Sequence, residues 1–204
     1  MNKCKIMSKE FWDEKFNTHE YMYGKTPNLF FKDQINKLIP GKILFGAEEE
    51  GRNAVYAATL GWDVYAFDVS SVGKKKALEL AKENNVNINY ILKGFVDFEF
   101  EDSFFDCIVL INAHAIEDDR MNNHRKLLKY LKNGGTFILQ GFTKKQIQNE
   151  SGGPKDVDML FSKDELQEDF KDLSQLNIEE TYEEIKAGIL HQGMANIIKL
   201  KGVK

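Results

Sequence analysis

The turn after the first predicted strand could bind a ligand. That strand, at 42–46, leads into a helix expected at 52–60. The small residues around the turn, which let the backbone come close to a ligand, are Gly46, Ala47 and Gly51. The next predicted strand is followed by Asp68, where a carboxylate can accept hydrogen bonds from ribose hydroxyls. This combination predicts a nucleoside-containing cofactor.

The charge of the same turn helps to identify the cofactor. A dinucleotide would place its pyrophosphate on the helix N-terminus, where Glu48, Glu49 and Glu50 would repel it by on the order of several kcal/mol. S-Adenosylmethionine has no phosphate, and one or more of these carboxylates could stabilise its sulfonium and ammonium cations. The alternative is that these acidic residues only complement the helix dipole. The charge thus favours S-adenosylmethionine and disfavours a nucleotide-dependent oxidoreductase.

Two histidines are candidates for contact with a substrate. His114 follows the fourth predicted strand and is the best candidate for a catalytic base, which an oxygen or nitrogen acceptor would need. The alternative is a histidine that only forms local hydrogen bonds at the end of a strand. His191, just before the last predicted strand, is a candidate for substrate contact. No group of His, Cys and Asp has the spacing of metal ligands, so no metal is expected.

The elements that must position these residues alternate between strands and helices. Two N-terminal helices, at 9–17 and up to about residue 38, precede this alternation. The other predicted elements are strands at 42–46, 63–67, 88–92, 106–111 and 136–140, helices at 52–60, 71–84, 119–131 and from 162, and two last strands at 178–185 and 194–200. This order predicts a doubly wound, mostly parallel seven-stranded α/β sheet of the Rossmann-like type, with an antiparallel C-terminal hairpin.

Local signals set some of these boundaries. The glycines of residues 133–135 are expected to cap the preceding helix at its C-terminus, and Ser162 with Glu165 forms a predicted capping box. We expect a single domain over residues 1–204, with an N-terminal helical extension and lid at 1–40 and the core at 41–204.

Length, composition and charge limit the class of protein. The 204 residues, 42% of them hydrophobic, are enough for a substantial core, and a net charge of −4 argues against generic binding to nucleic acid. Cys4 and Cys107 do not suggest a disulfide or a metal site. No signal peptide or membrane span is evident, so a cytoplasmic protein, monomer or homodimer, with no membrane partner is expected.

An ordered set of short motifs covers almost the whole chain. They are Phe11-Trp12-Asp13-Glu14, Tyr21-Met22-Tyr23-Gly24 with Pro27-Asn28, Gly51-Arg52-Asn53-Ala54, Asp68-Val69-Ser70-Ser71-Val72-Gly73, Asp97-Phe98, Phe105-Asp106, Asn133-Gly134-Gly135, Gly152-Gly153-Pro154 and His191-Gln192-Gly193. This set resembles the class I S-adenosylmethionine-dependent methyltransferases, and more closely the small bacterial tellurite-resistance and thiopurine-type group.

The resemblance implies a methyltransferase that uses S-adenosylmethionine, releases S-adenosylhomocysteine and acts on a small molecule. The expected cofactor-binding residues are Tyr23, Gly46, Ala47, Glu48, Gly51, Arg52, Asp68, Val69, Phe95, Val96 and Asn112. The expected substrate-binding residues are Tyr21, Asn28, His114 and His191, with His114 also catalytic. Tyr21 and Tyr23 belong to a segment that resembles the loop folding over cofactor and substrate in that family.

The sequence departs from the family pattern at four positions. Phe45 stands where the family usually has an acidic residue, and Ala47 and Glu49 stand where it has glycines. Gly94 replaces the Asp or Asn that typically contacts the adenine amino group. Phe45, Glu49 and Gly94 motivate an alternative hypothesis, a methyltransferase-fold protein that binds a ligand without turnover.

Overall fold

The chain folds around one seven-stranded sheet. The computed structural model describes residues 8–204, so Cys4 lies outside the described residues. The strands are β1 (Lys42–Gly46), β2 (Asp63–Asp68), β3 (Asn89–Leu92), β4 (Phe105–Ile111), β5 (Leu131–Phe142), β6 (Ser174–Ala187) and β7 (His191–Val203). Their order is β3-β2-β1-β4-β5-β7-β6, with β1 to β5 parallel and β7 antiparallel to both neighbours. The predicted sheet and C-terminal hairpin are confirmed.

Six α-helices surround the sheet in the described part of the chain. They are α1 (Lys9–Phe16), α2 (Leu29–Ile35), α3 (Arg52–Thr59), α4 (Ser71–Glu83), α5 (Glu117–Tyr130) and α6 (Lys163–Asp169). The predicted capping box at α6 is present, because the Ser162 hydroxyl accepts from the Glu165 amide and the Glu165 carboxylate accepts from the Ser162 amide. Within residues 8–204, no helix has the length and apolar character needed to cross a bilayer.

Both faces of the sheet are covered by apolar side chains. Alternate residues of β1 point to opposite faces, so Ile43 and Phe45 pack in one core cluster and Leu44 packs in the other. The Phe45 ring lies edge-on to Phe31 of α2, with ring centroids 5.4 Å apart. Phe45 is therefore a core residue that helps to hold the N-terminal extension against the sheet.

The predicted glycine cap of α5 is wrong. The helix ends at Tyr130, and Leu131 is already extended and pairs with Phe105 of β4. Residues 133–135 therefore lie inside β5, beside an irregularity in the β4–β5 register. Burial of the Leu131 side chain explains this abrupt change, because an extended backbone places that side chain in the core.

The C-terminal hairpin is longer than predicted. Its strands extend to Ala187 and from His191, so the turn is three residues long rather than the whole of residues 186–193. The amides of Ile189 and Leu190 in this turn donate to the Met22 carbonyl. The tip of the hairpin thus touches the loop between α1 and α2, which we call the lid loop (residues 17–28).

Candidate functional site

A cleft of about 350 Å³ lies beyond the carboxyl ends of β1, β2 and β4, the usual ligand position in a doubly wound sheet. We call it the sheet-edge cleft. Its lining includes the predicted cofactor-binding residues Ala47, Asp68, Val69, Phe95, Val96 and Asn112, and also Trp12, Glu49, Gly94, Asp97, His114 and Asp119. The structure therefore brings residues from five segments of the sequence to one cleft.

The turn between β1 and α3 keeps glycine-like backbone angles without the glycines. Ala47 and Glu49 have φ values of 51° and 56°, in the left-handed region that costs a non-glycine residue roughly 1–2 kcal/mol. Two hydrogen bonds hold the turn: the Glu49 amide donates to Asp68 at 3.1 Å, and the Tyr90 hydroxyl donates to the Glu49 carbonyl at 2.7 Å. The turn thus has the backbone conformation typical of glycine at two positions that carry side chains.

The glycines that remain in this turn serve packing. A Cβ on Gly46 would come within 2.8 Å of the Leu110 side chain, and one on Gly51 within 2.5 Å of the Ala77 Cβ. Both glycines are buried, and neither lines the sheet-edge cleft. Because Gly51 has no side chain, α3 and α4 can pack closely against each other. Its role in the turn is therefore packing rather than contact with a ligand.

Glu48 does not face the cleft as predicted. Its carboxylate accepts hydrogen bonds from the amides of Asn53 (2.9 Å) and Ala54 (2.7 Å), and so caps the first turn of α3. Burial raises the pKa of Glu48 to about 7, although those amides and Arg52 favour the charged form. Glu48 therefore caps the N-terminus of α3 and does not line the sheet-edge cleft, and its role as a cofactor ligand stays a prediction.

Glu50 also points away from the cleft. Its carboxylate forms an ion pair with Lys76 at 2.6 Å and accepts a hydrogen bond from the Met22 amide at 2.7 Å. The Lys76 ammonium in turn donates to the Glu20 carbonyl at 2.6 Å. Glu50 therefore links the lid loop to α4. Of the three glutamates, one or more of which were expected to stabilise the cofactor, Glu49 lines the cleft.

Glu49 and Asp68 are the two carboxyl groups deepest in the cleft. Burial raises the pKa of both groups, and the proximity of Asp68 raises that of Glu49 further. The Glu49 carboxyl accepts no hydrogen bond from residues 8–204. Asp68 accepts from the Ser70 amide at 2.8 Å and from the Glu49 amide, which leaves lone pairs on both oxygens. A bound cation would favour the charged form of both groups, so the pair is suited to hydroxyl donors and cations.

Trp12, which belongs to one of the short motifs but was not expected to bind the cofactor, also lines the cleft. Its helix is held there by Asp13, whose carboxylate accepts from the Ser70 hydroxyl at 2.7 Å and from the Val72 amide at 3.1 Å. These hydrogen bonds depress the pKa of Asp13 despite its partial burial. The motif that contains Trp12 and Asp13 could have indicated this position. The residues that Asp13 contacts, however, are more than fifty positions away in the sequence.

His114, the predicted base, is held in place by hydrogen bonds. Its Nδ1 donates to the Met159 carbonyl at 2.9 Å, and its Nε2 accepts from the Phe142 amide at 3.1 Å. Burial lowers its pKa to about 4. Both ring nitrogens of His114 are thus bonded to the backbone where it lines the cleft, and its catalytic role stays a prediction.

A second cavity, of about 220 Å³, lies between the lid loop and the C-terminal hairpin. We call it the hairpin cavity. Its lining includes the predicted residues Tyr23, Asn28, Arg52, Asn112 and His191, together with Phe30, Gln140, Phe142, Glu183, Glu184 and Lys186. Asn112 also lines the sheet-edge cleft, and its side-chain oxygen is buried without a hydrogen-bond partner. The two spaces therefore meet at Asn112.

The other predicted substrate residues are placed differently. Tyr21 lies outside both spaces, and its hydroxyl donates to the Lys76 carbonyl at 2.9 Å. The Asn28 side chain caps α2 by accepting from the Phe31 amide, although Asn28 still borders the hairpin cavity. His191 is buried beside Tyr23, with ring centroids 4.6 Å apart. Among residues 8–204, no cluster of His, Cys, Asp and Glu could hold a metal.

Comparisons with known proteins agree with this geometry. Residues 48–135 match the family model of a methyltransferase domain. No curated protein sequence matches the chain. The solved structure of TehB from Haemophilus influenzae aligns with a TM-score of 0.67 and 19% identity over 96% of this chain and 66% of that one.

Two further solved structures share the fold. One, described for the conversion of a disulfide bond into a thioacetal group during echinomycin biosynthesis, aligns with a TM-score of 0.79 and 13% identity over 98% of this chain and 91% of that one. The other is phosphoethanolamine N-methyltransferase 2 from Haemonchus contortus, solved with phosphomonomethylethanolamine and S-adenosylhomocysteine. It aligns with a TM-score of 0.72 and 15% identity over 98% of this chain and 59% of the longer one.

Proposed function

We propose that this chain, whose residues 48–135 match a methyltransferase domain, is a class I S-adenosylmethionine-dependent methyltransferase that transfers the methyl group to a small molecule bound in the hairpin cavity. The observation that carries the proposal is the junction of the two spaces at Asn112, where a cofactor in the cleft would meet an acceptor in the cavity. The Haemonchus contortus enzyme, whose acceptor is small, supports the same class of substrate.

The residues of the sheet-edge cleft fit S-adenosylmethionine, which supplies a methyl group activated by a sulfonium. Asp68 has free lone pairs for ribose hydroxyls. Glu49 places a carboxyl group in the cleft, and a cationic cofactor would favour its charged form. Gly94 offers no side chain for adenine, but Asp97 lies on the same wall and could accept from its amino group. Trp12 also lines the cleft and would exclude water.

The site offers positioning rather than proton transfer. His114 is bonded to the backbone at both nitrogens, and burial together with Arg52 and Lys15 lowers the pKa of His191 to about 3. Neither imidazole would accept a proton readily from an acceptor at neutral pH. We therefore infer an acceptor atom that is already ionised or intrinsically soft, with catalysis arising from alignment and exclusion of water.

Replacing Glu49 by Gln should reduce the preference for S-adenosylmethionine over S-adenosylhomocysteine. The two ligands differ by the sulfonium charge, and a nearby carboxylate favours the charged one, so we expect the ratio of their dissociation constants to change about tenfold. Isothermal titration with both ligands measures the ratio. The control Asp119→Asn removes a carboxylate at the exposed rim of the cleft and should leave the ratio unchanged. An unchanged ratio in Glu49→Gln would show that Glu49 does not face the cation.

The size class of the acceptor can be tested with methyl-labelled S-adenosylmethionine. We expect the protein to transfer label from it to material of a cell extract that passes a small-pore filter. Label found only in retained protein or nucleic acid would contradict a small-molecule substrate. We also propose that the protein is cytoplasmic, is a monomer or homodimer, and has no nucleic-acid partner. The net charge of −4 supports the last of these proposals.

A further inference from the structure

Arg52 is a buried cation that forms no direct ion pair within the described residues, although the charges of Glu48 and Glu49 act on it at longer range. The residue is 6% exposed, and no carboxylate of residues 8–204 lies within ion-pair distance of it. Its side chain donates to the Tyr23 carbonyl at 3.0 Å, while Nε is buried without a partner. Because a buried charge is stabilised most by a directly bonded counter-ion, an anion in the adjoining cavity could bind this guanidinium.

The carboxylates that line the hairpin cavity are already paired. Glu183 forms an ion pair with Lys199 at 2.6 Å, and Glu184 forms one with Lys186 at 3.0 Å. Glu48, the acidic neighbour in the turn before α3, is bound to the amides of that helix. Among the charged side chains that line this cavity, Arg52 is therefore the one with no ion pair in the described part of the chain.

The walls around Arg52 are aromatic. The Tyr23 ring lies 5.9 Å from the guanidinium carbon, and the His191 ring stands between Tyr23 and Phe142, at 4.6 and 5.2 Å between centroids. Such walls accept a flat apolar body by stacking and edge contacts. The neutral His191 adds a polar edge without a competing positive charge.

We propose that Arg52 binds the carboxylate of a small, flat organic acid, and that this acid is the methyl acceptor. A single guanidinium matches a single negative charge, and its remaining donors are suited to carboxylate oxygens. This inference names the substrate class of the proposed function and rests on it. The same chemistry could come from the methionine carboxylate of the cofactor, so the test must separate the two sources.

Benzoate and benzamide, which share shape and differ in charge, are the probes for isothermal titration against the wild-type chain. We expect benzoate to bind at least about tenfold more tightly than benzamide. Equal affinities, or no binding of either probe to folded protein, would overturn the proposal without any variant. S-Adenosylhomocysteine, titrated in parallel, tests the proposed function separately, because its failure to bind leaves the benzoate comparison intact.

The variant Arg52→Met identifies the source of the carboxylate. It should abolish the preference for benzoate while changing the affinity for S-adenosylhomocysteine by less than about threefold. The matched control Lys186→Met removes a positive charge that is exposed and paired at the rim of the same cavity, and should keep the preference. A large loss of S-adenosylhomocysteine affinity in Arg52→Met, with benzoate binding unchanged, would assign Arg52 to the cofactor and overturn the proposal.

Discussion

Replacing Glu50 by Gln is expected to lower the free energy of unfolding by about 3 kcal/mol, which is typical of breaking a buried ion pair. The side chains of Glu50 and Lys76 are 3% and 9% exposed, and their charged atoms lie 2.6 Å apart. Glutamine would leave the Lys76 ammonium buried without a counter-charge and weaken the hydrogen bond from the Met22 amide. Urea denaturation at neutral pH measures the loss.

Glu79→Gln is the matched control for this variant. Glu79 also approaches a lysine of α4, Lys75, but the pair is 4.0 Å apart and both side chains are more than half exposed. Its loss should cost less than about 0.5 kcal/mol. Equal, small losses in the two variants would contradict the view that Glu50 anchors the lid loop.

Acid should destabilise the protein strongly through His114. Its pKa falls from an ordinary 6.5 to about 4 on folding because the ring is buried, so the unfolded chain binds the proton more readily. The stabilisation is fully present above pH 6.5 and is lost as the pH falls toward 4. Between pH 7 and pH 4.5 the loss should be about 2–3 kcal/mol from this residue.

His114→Gln isolates this contribution. The ring stacks on Phe161 at 4.5 Å, so the variant will be less stable at every pH, but the difference in unfolding free energy between pH 7 and pH 4.5 should shrink by about 2 kcal/mol. His19→Gln, at an exposed loop position, should keep the wild-type pH difference. A pH difference as large in His114→Gln as in the wild type would refute the assignment of a buried, neutral imidazole.

The sheet could be predicted because its strands correspond to short apolar runs of sequence that are separated by segments with helical periodicity. The core of β4, from Cys107 to Ile111, is an example, and its burial in the structure follows that pattern. The end of α5 could not be predicted in the same way. The glycines at 134 and 135 looked like a helix cap, but pairing of Leu131 with Phe105 extended the chain earlier, and such a pairing depends on distant residues.

The site was predictable in place but less so in detail. The turn after β1 and the carboxylate of Asp68 lie at the sheet-edge cleft as the motif order suggested. The directions of Glu48, Glu49 and Glu50 could not be read from the sequence, because left-handed angles at alternate positions send neighbouring side chains to different partners. Likewise, the carbonyl that binds His114 Nδ1 belongs to Met159, on a connection with no periodic pattern.

The central claim is that the sheet-edge cleft binds S-adenosylmethionine through Asp68. Isothermal titration of S-adenosylhomocysteine into the wild-type chain, Asp68→Asn and the rim control Asp119→Asn tests it, with circular dichroism to verify that each variant is folded. We predict one site with submillimolar affinity in the wild type and in Asp119→Asn, and binding about 10- to 100-fold weaker in Asp68→Asn. No detectable binding to the folded wild-type chain, or equal affinities in all three, would contradict the account.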